Sequence, residues 1–272
     1  MNAAALRDEA LRWRAAGRPA VVVAVVATRG SVPREAGTRM LVVADAVLGT
    51  IGGGHLELQA IADARRLLAE GGGTVQRHIA LGPTLGQCCG GTLDLRFTPL
   101  AADDPGLWPV EPPRFQLQLY GAGHVGRAIV RLLAPLPCRV WWIDERETEF
   151  PGDVLPPHIQ RVCVEPVEAE VAAAPPGCHY LVLTHSHDLD LAIAQAVLAR
   201  DDVAWFGLIG SATKRARFEH RLAARGVPPE RLARMACPIG LPGIAGKAPE
   251  VIAIAVVAQL LQGAGAERPA GA

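Results

Sequence analysis

The sequence predicts an α/β protein: a mixed N-terminal domain over residues 1–98, a proline-rich linker over 99–114, and a C-terminal Rossmann-like parallel-sheet domain over 115–272. Three observations predict it. After residue 115, apolar strand-like runs alternate with helical stretches, the pattern of a parallel sheet covered on both faces. A glycine-rich turn, Gly121 to Gly126, stands where the first of those runs meets a helix. Pro99, Pro105, Pro109, Pro112 and Pro113 crowd the segment between the domains, a density that disfavours helix and central strand.

In the N-terminal domain, residues 3–16 read as a helix. Residues 21–27 form a β-branched run that ends at Arg29-Gly30-Ser31-Val32-Pro33, so a buried strand is expected there. Residues 39–44 and 46–51 suit two strands joined by a turn. Gly52-Gly53-Gly54-His55 then opens a helix whose apolar positions are Leu58, Ile61, Ala62, Leu68 and Ala69, and Gly71-Gly72-Gly73 stops it. Strands follow at 75–81 and 92–97. In the C-terminal domain the strands fall at 115–120, 138–143, 159–164, 180–184 and 203–208, with a helix at 127–133 after the glycine turn. Residues 248–262 read as a helix that is apolar nearly all round and is expected to be buried against the sheet, the first domain or a second subunit.

Composition excludes several function classes. Half of the 272 residues are hydrophobic and 20% are charged, which suits a sizeable core rather than disorder. Lys plus Arg equals Asp plus Glu at 27 each, so broad binding to nucleic acid or to an anionic membrane is not expected, although a local basic pocket stays open. The longest apolar run, residues 20–27, falls far short of the roughly 20 residues a bilayer span needs. No small-residue cleavage site follows it, so no secretory signal is expected. Six cysteines in a chain of this length fit reduced thiols and a cytoplasmic location rather than a disulfide scaffold.

Five motifs carry candidate chemistry. Gly121-Ala122-Gly123-His124-Val125-Gly126, with Asp144 ending the next strand, has the setting of a dinucleotide fingerprint: glycines admit a phosphate close to the backbone, and the helix start offers N–H groups. Asp144 would accept bonds from a ribose or another polar ring; the plainer alternative is a tight turn with no ligand. Gln87-Cys88-Cys89-Gly90-Gly91 leaves two thiols uncrowded, suited to a soft metal or to carrying sulfur, against the alternative of small packing residues. Gly52-Gly53-Gly54 at a helix start forms a concave set of donors for an anion, or else a close-packed turn. Thr184-His185-Ser186-His187-Asp188 lies at the carboxyl end of a strand, where polar ligand contact or helix capping by Asp188 is expected more than zinc. Ser211, with Lys214 and Arg215 beside it, can cap a helix and reach an anion, or simply form a solvated basic turn. Cys138, Cys163, Cys178 and Cys237 are expected to pack.

Taken together, the motifs resemble the XdhC/CoxI family of xanthine dehydrogenase accessory proteins over nearly the whole chain. Arg29-Gly30-Ser31-Val32-Pro33-Arg34, Gly49 through Gly54, and Leu81 through the Cys-Cys-Gly-Gly loop match in the first domain. Gly121 through Gly126, Asp144-Glu145-Arg146, Thr184 through His187 and Gly207 through Ser211 match in the second. The resemblance implies a chaperone that binds molybdenum cofactor (Mo-molybdopterin) in its sulfurated form and delivers it to xanthine dehydrogenase, rather than an enzyme. It implies a cysteine desulfurase as a further partner and a homodimer, with no nucleic acid and no membrane. Its implied cofactor-binding residues are Gly52, Gly53, Gly54, Gln87, Cys88, Cys89, Gly121, Gly123, His124, Gly126, Asp144, Arg146, His185 and Ser211, with Cys88 and Cys89 at molybdenum and no catalytic residue. The phosphate is expected on the Gly121 turn, the pterin near Asp144 and Arg146, and molybdenum near the two cysteines across a domain cleft. The tail departs from the family: Pro242 replaces an aspartate and Val251 a glutamate. The alternative is an NAD(P)-dependent oxidoreductase, with His124 or His185 as proton donor.

Overall fold

The computed structural model describes residues 2–81, 90–110 and 112–266, with side chains to 263. The chain divides into two compact units, Met1–Glu111 and Pro112–Ala272.

The first unit is a five-stranded antiparallel sheet in the order β3-β2-β1-β5-β4: β1 is Val21–Arg29, β2 Arg39–Val42, β3 Val47–Gly49, β4 Val75–Ala80 and β5 Thr92–Pro99. The period-two alternation of β1 assigns its faces. Val21, Val23 and Val25 face α2 (Gly54–Glu70), while Val22 faces α1 (Ala3–Ala15). The buried row of α2 is Leu56, Ala60 and Ala64. The expected stripe holds in part: Ile61 and Leu68 pack against this core, while Leu58 is 67% exposed. Small residues at i and i+4 let the helix approach the sheet closely, and the larger Leu58 is left to solvent. The proline-rich segment carries short local structure. Its two 3-10 turns, Leu100–Ala102 and Pro105–Leu107, bring Leu100 and Trp108 into the same cluster as Leu6, Ala10 and Trp13 of α1.

The second unit is a six-stranded, all-parallel sheet in the order β11-β10-β9-β6-β7-β8. Its strands are β6 Gln116–Tyr120, β7 Arg139–Asp144, β8 Ile159–Cys163, β9 His179–Val182, β10 Trp205–Leu208 and a short β11, Met235–Ala236, which the sequence reading lacked. Counted from β6, the order is that of a Rossmann sheet, whose direction reverses between β6 and β9. Tyr120, Tyr180, Val182 and Phe206 face α5 (His187–Ala199) and α6 (Ala212–Ala223). Leu117, Leu119, Trp142 and Leu181 face α3 (His124–Leu133) and α8 (Pro249–Ala266). The terminal helix is therefore buried on one face, through Ala253, Val256, Val257 and Leu260, while Ile254 remains 52% exposed. Cys138, Cys178 and Cys237 pack as expected; Cys163 is exposed, because it ends the edge strand β8. Burial pushes the Cys138 thiol up to about 12 and Cys178 up to about 11. Among the described residues no helix is long and apolar enough to cross a membrane.

Candidate functional site

The crevice of the second unit lies beyond the carboxyl ends of β6 and its neighbours β7 and β9. It is lined by Gly121, Ile143, Asp144, Glu145, Thr184 and His185, among others. Each glycine of the turn answers a different demand. Gly121 has φ +117°, and a Cβ there would lie 2.4 Å from the Leu183 carbonyl oxygen. A Cβ on Gly126 would lie 2.1 Å from the Gly121 carbonyl oxygen. Both glycines are therefore required by backbone packing at the β6–α3 turn. Gly123, the N-cap of α3, is different: nothing stands within 4 Å of an added Cβ. The space over the helix start is open, as an approaching anion would need. His124 begins α3 and is exposed.

Asp144 holds this turn together. Its Oδ2 accepts from the Ala122 N–H at 2.7 Å and from Arg146 Nη2 at 3.0 Å. Its Oδ1 accepts from the Arg146 N–H at 2.9 Å and Arg146 Nε at 3.0 Å. Burial opposes its ionisation, but the bonds from Arg146 and Ala122 outweigh that and hold the carboxyl below the usual carboxylate range. The expectation that Asp144 accepts from a ribose or a ring is corrected here: all of its acceptor positions are engaged within the protein. Arg127 and Glu149 extend the network. Arg127 Nη2 meets Glu149 Oε2 at 2.6 Å, and Arg127 Nε donates to the Ala122 carbonyl at 3.0 Å.

The β9 end carries a second network that sequence reasoning missed. Asp190, 1% exposed, accepts from the Thr184 N–H at 3.0 Å, Thr184 Oγ1 at 2.7 Å and Lys214 Nζ at 2.6 Å. Lys214 also donates to the Ile209 carbonyl at 2.8 Å. The anion that Lys214 reaches is thus internal. Ser211 caps α6 by accepting from the Lys214 N–H. Ser186, rather than Asp188, caps α5, and Asp188 pairs with Arg221 at 3.1 Å. His185 lies 3.5 Å from Glu145, which belongs to the loop after β7. Among the described residues no group of three or more His, Cys, Asp or Glu side chains is arranged to hold a metal.

In the first unit, three motif segments meet at one end of the sheet. A Cβ on Gly52 would lie 2.6 Å from Pro33, and one on Gly91 would lie 2.4 Å from the Ser31 carbonyl oxygen. The loop after β1 therefore packs backbone to backbone against the start of β5, and its Pro33 ring packs against the backbone of the turn before α2. The donors around Gly52, Gly53 and Gly54 already hold an anion, the carboxylate of Glu57. Its Oε2 accepts from Thr50 Oγ1 at 2.5 Å, the Ile51 N–H at 2.9 Å and the Gly53 N–H at 3.1 Å. The spacing of Thr50 and Glu57 around three glycines was the available signal. Burial raises the Glu57 pKa, but the bonds from Thr50, Gly53, Ile51 and Gly52 more than offset it, and the carboxyl sits below its ordinary 4.5. Gln87, Cys88 and Cys89 lie outside the described residues.

Glu57→Gln is expected to destabilise the protein by about 1 kcal/mol at pH 7, allowing for partial exposure. A carboxyl whose folded pKa is lowered contributes stability that is present above the unfolded value and is lost as pH falls through the folded one. The difference between wild type and variant should therefore shrink below about pH 4.5 in urea denaturation. A difference that grows with acid would contradict the bonding described.

Residues 117–260, more than half of the chain, match the family described as XdhC Rossmann domain. The chain belongs to the XdhC family. Residues 13–78 match the description XdhC and CoxI family. Uncharacterized protein YqeB of Escherichia coli K12 is 31% identical over 262 residues, covering 93% of this chain and 45% of YqeB. The chain thus spans about half the length of the curated relative it matches. A solved structure described as a xanthine dehydrogenase from Bacillus halodurans superimposes with a TM-score of 0.71, covering 100% of this chain and 98% of that one. At 19% identity that likeness is one of fold. The glycine turn, Asp144, Arg146, His185 and Ser211 all lie within the span matched to the XdhC Rossmann domain.

Proposed function

We propose that this XdhC-family chain is an accessory protein that takes molybdenum cofactor as cargo and delivers it to a xanthine dehydrogenase during maturation, with a cysteine desulfurase and a second copy of the chain as further partners. The observation that carries the reading is the open helix start at Gly123, set at the point where the sheet reverses, in a chain of this family. The cargo ends in a phosphate, and unpaired helix-start N–H groups favour such an anion. Its molybdenum is held by sulfur and would meet the thiolates of Cys88 and Cys89, soft ligands suited to it. The proposed role of this chain is to hold the cargo and keep water from its labile sulfur, not to turn over a substrate. Because Asp144 is saturated, the oxidoreductase alternative lacks the free acceptor that reads the adenosine ribose of a dinucleotide.

The test is metal and pterin analysis after incubation with free molybdenum cofactor. Wild type should retain both molybdenum and pterin. Gly123→Val, whose Cβ enters open space, should fold normally and lose retention at least tenfold. Cys89→Ala should weaken retention and abolish activation of the client. Undiminished loading and delivery by both variants would overturn the reading.

A further inference from the structure

From Val251 to Ala266 the terminal helix α8 carries no charged residue. Each of the other long helices exposes charge: Arg12 on α1, Arg65 on α2, Arg131 on α3, Asp188 on α5 and Arg217 on α6. The outward face of a surface helix is ordinarily polar or charged. The uncharged outer face of α8 therefore calls for a physical reason.

The helical period locates that face. At about 100° per residue, Val251, Ile254, Ala258 and Leu261 share an arc of about 80°, a stripe about 15 Å long. Their spacing of three, four and three residues is that of a helix–helix seam. Ala253, Val256, Val257 and Leu260 lie on a different face, packed against the sheet. A flank between the two is covered by the loop after β11. There the Leu241 N–H donates to the Ala255 carbonyl at 3.2 Å, and the Gly240 N–H donates to Gln259 Oε1 at 2.8 Å. The stripe itself stays outward: Ile254 is 52% exposed, and Val251, Ala258 and Leu261 are half-buried.

Charge narrows the occupant. A partner that docks through ion pairs finds no charge on the stripe to pair with. A second copy is in the opposite position. A two-fold contact sets a patch against itself, so charges near the axis would oppose their own copies, and a neutral patch is self-complementary. An antiparallel approach fits the residues present. It sets Ile254 of one copy against Ala258 of the other, large against small, and Val251 against Leu261. It also carries the exposed Glu250, in the first turn, to opposite ends of the contact, and it opposes the two helix dipoles.

We propose that the Val251–Leu261 stripe of α8 is a two-fold contact surface on which a second copy of the chain packs its own α8 antiparallel. The inference rests on the second copy named in the proposed function and assigns the surface that receives it.

Sedimentation velocity of the full chain, from about 1 to about 200 μM, tests this. Wild type should show a monomer–dimer equilibrium within that range. Ile254→Glu puts a charge in the middle of the stripe, and Ala258→Arg does the same one turn later. Each should weaken dimerisation at least about tenfold. Both positions are outside the core, so the unfolding midpoint at low concentration should stay within about 2 °C of wild type. Leu58→Glu, at a more exposed leucine on α2, is the control and should dimerise like wild type. A wild-type dimer that both α8 variants retain would leave the second copy standing and overturn this surface. Equal weakening by Leu58→Glu would overturn it too. A wild type that stays monomeric throughout would overturn both the surface and the second copy, and would leave the cargo reading to its own retention assay.

Discussion

Lys214→Met should lower the unfolding free energy by about 3–5 kcal/mol, because it strands a buried carboxylate. Asp190 is 1% exposed and lies 2.6 Å from Lys214 Nζ. Without the ammonium, its remaining partners are the neutral N–H and hydroxyl of Thr184. Those bonds do not compensate a full charge removed from water. The pair also joins the ends of β9 and β10, since Lys214 donates to the Ile209 carbonyl. The double variant Asp190→Asn, Lys214→Met removes both charges and should cost clearly less than the sum of the two single changes. Urea denaturation of the four proteins measures this. A Lys214→Met penalty below about 1 kcal/mol would place the pair among exposed bridges of little worth and contradict its burial.

Gly126→Ala is expected to be nearly as damaging. The added methyl would sit 2.1 Å from the Gly121 carbonyl oxygen, a backbone atom with no rotamer to change. To make room, α3 would have to lift from the end of β6, opening the cluster that holds Ile129 and Leu133 against Leu119. A loss of about 3 kcal/mol or more follows, at the upper end of overpacking effects. Gly123→Ala, three positions earlier, should stay within about 0.5 kcal/mol of wild type, since its Cβ enters open space. Thermal or urea unfolding of the two variants side by side checks the contrast. Equal penalties would mean that the glycines do not divide into packing and access roles.

Much of the architecture is legible in local pattern. The β-branched run of β1, the proline-rich stretch and the strand-turn-helix around Gly121 all follow from preferences that each segment expresses with its own neighbours in the chain. The site is legible only as a set of positions. Asp144 stands where a fingerprint aspartate belongs, yet its bonds go to Ala122 and Arg146. Lys214 reads as a free cation, yet its anion is Asp190, 24 residues earlier. Gly52 to Gly54 read as a vacant cradle, yet the Glu57 side chain turns back into it. Leu58 reads as core because it is apolar, while the smaller Ala60 and Ala64 are what the close approach of α2 admits.

Sequence alone determined the class of fold, the place of the parallel sheet and the location of the glycine turn, because periodicity and backbone permissiveness are properties of short stretches of chain. Tertiary structure alone decided which charged groups are spent on one another. Buried acceptors and donors must be satisfied by whatever the fold brings within reach, and those partners come from segments far apart in the chain.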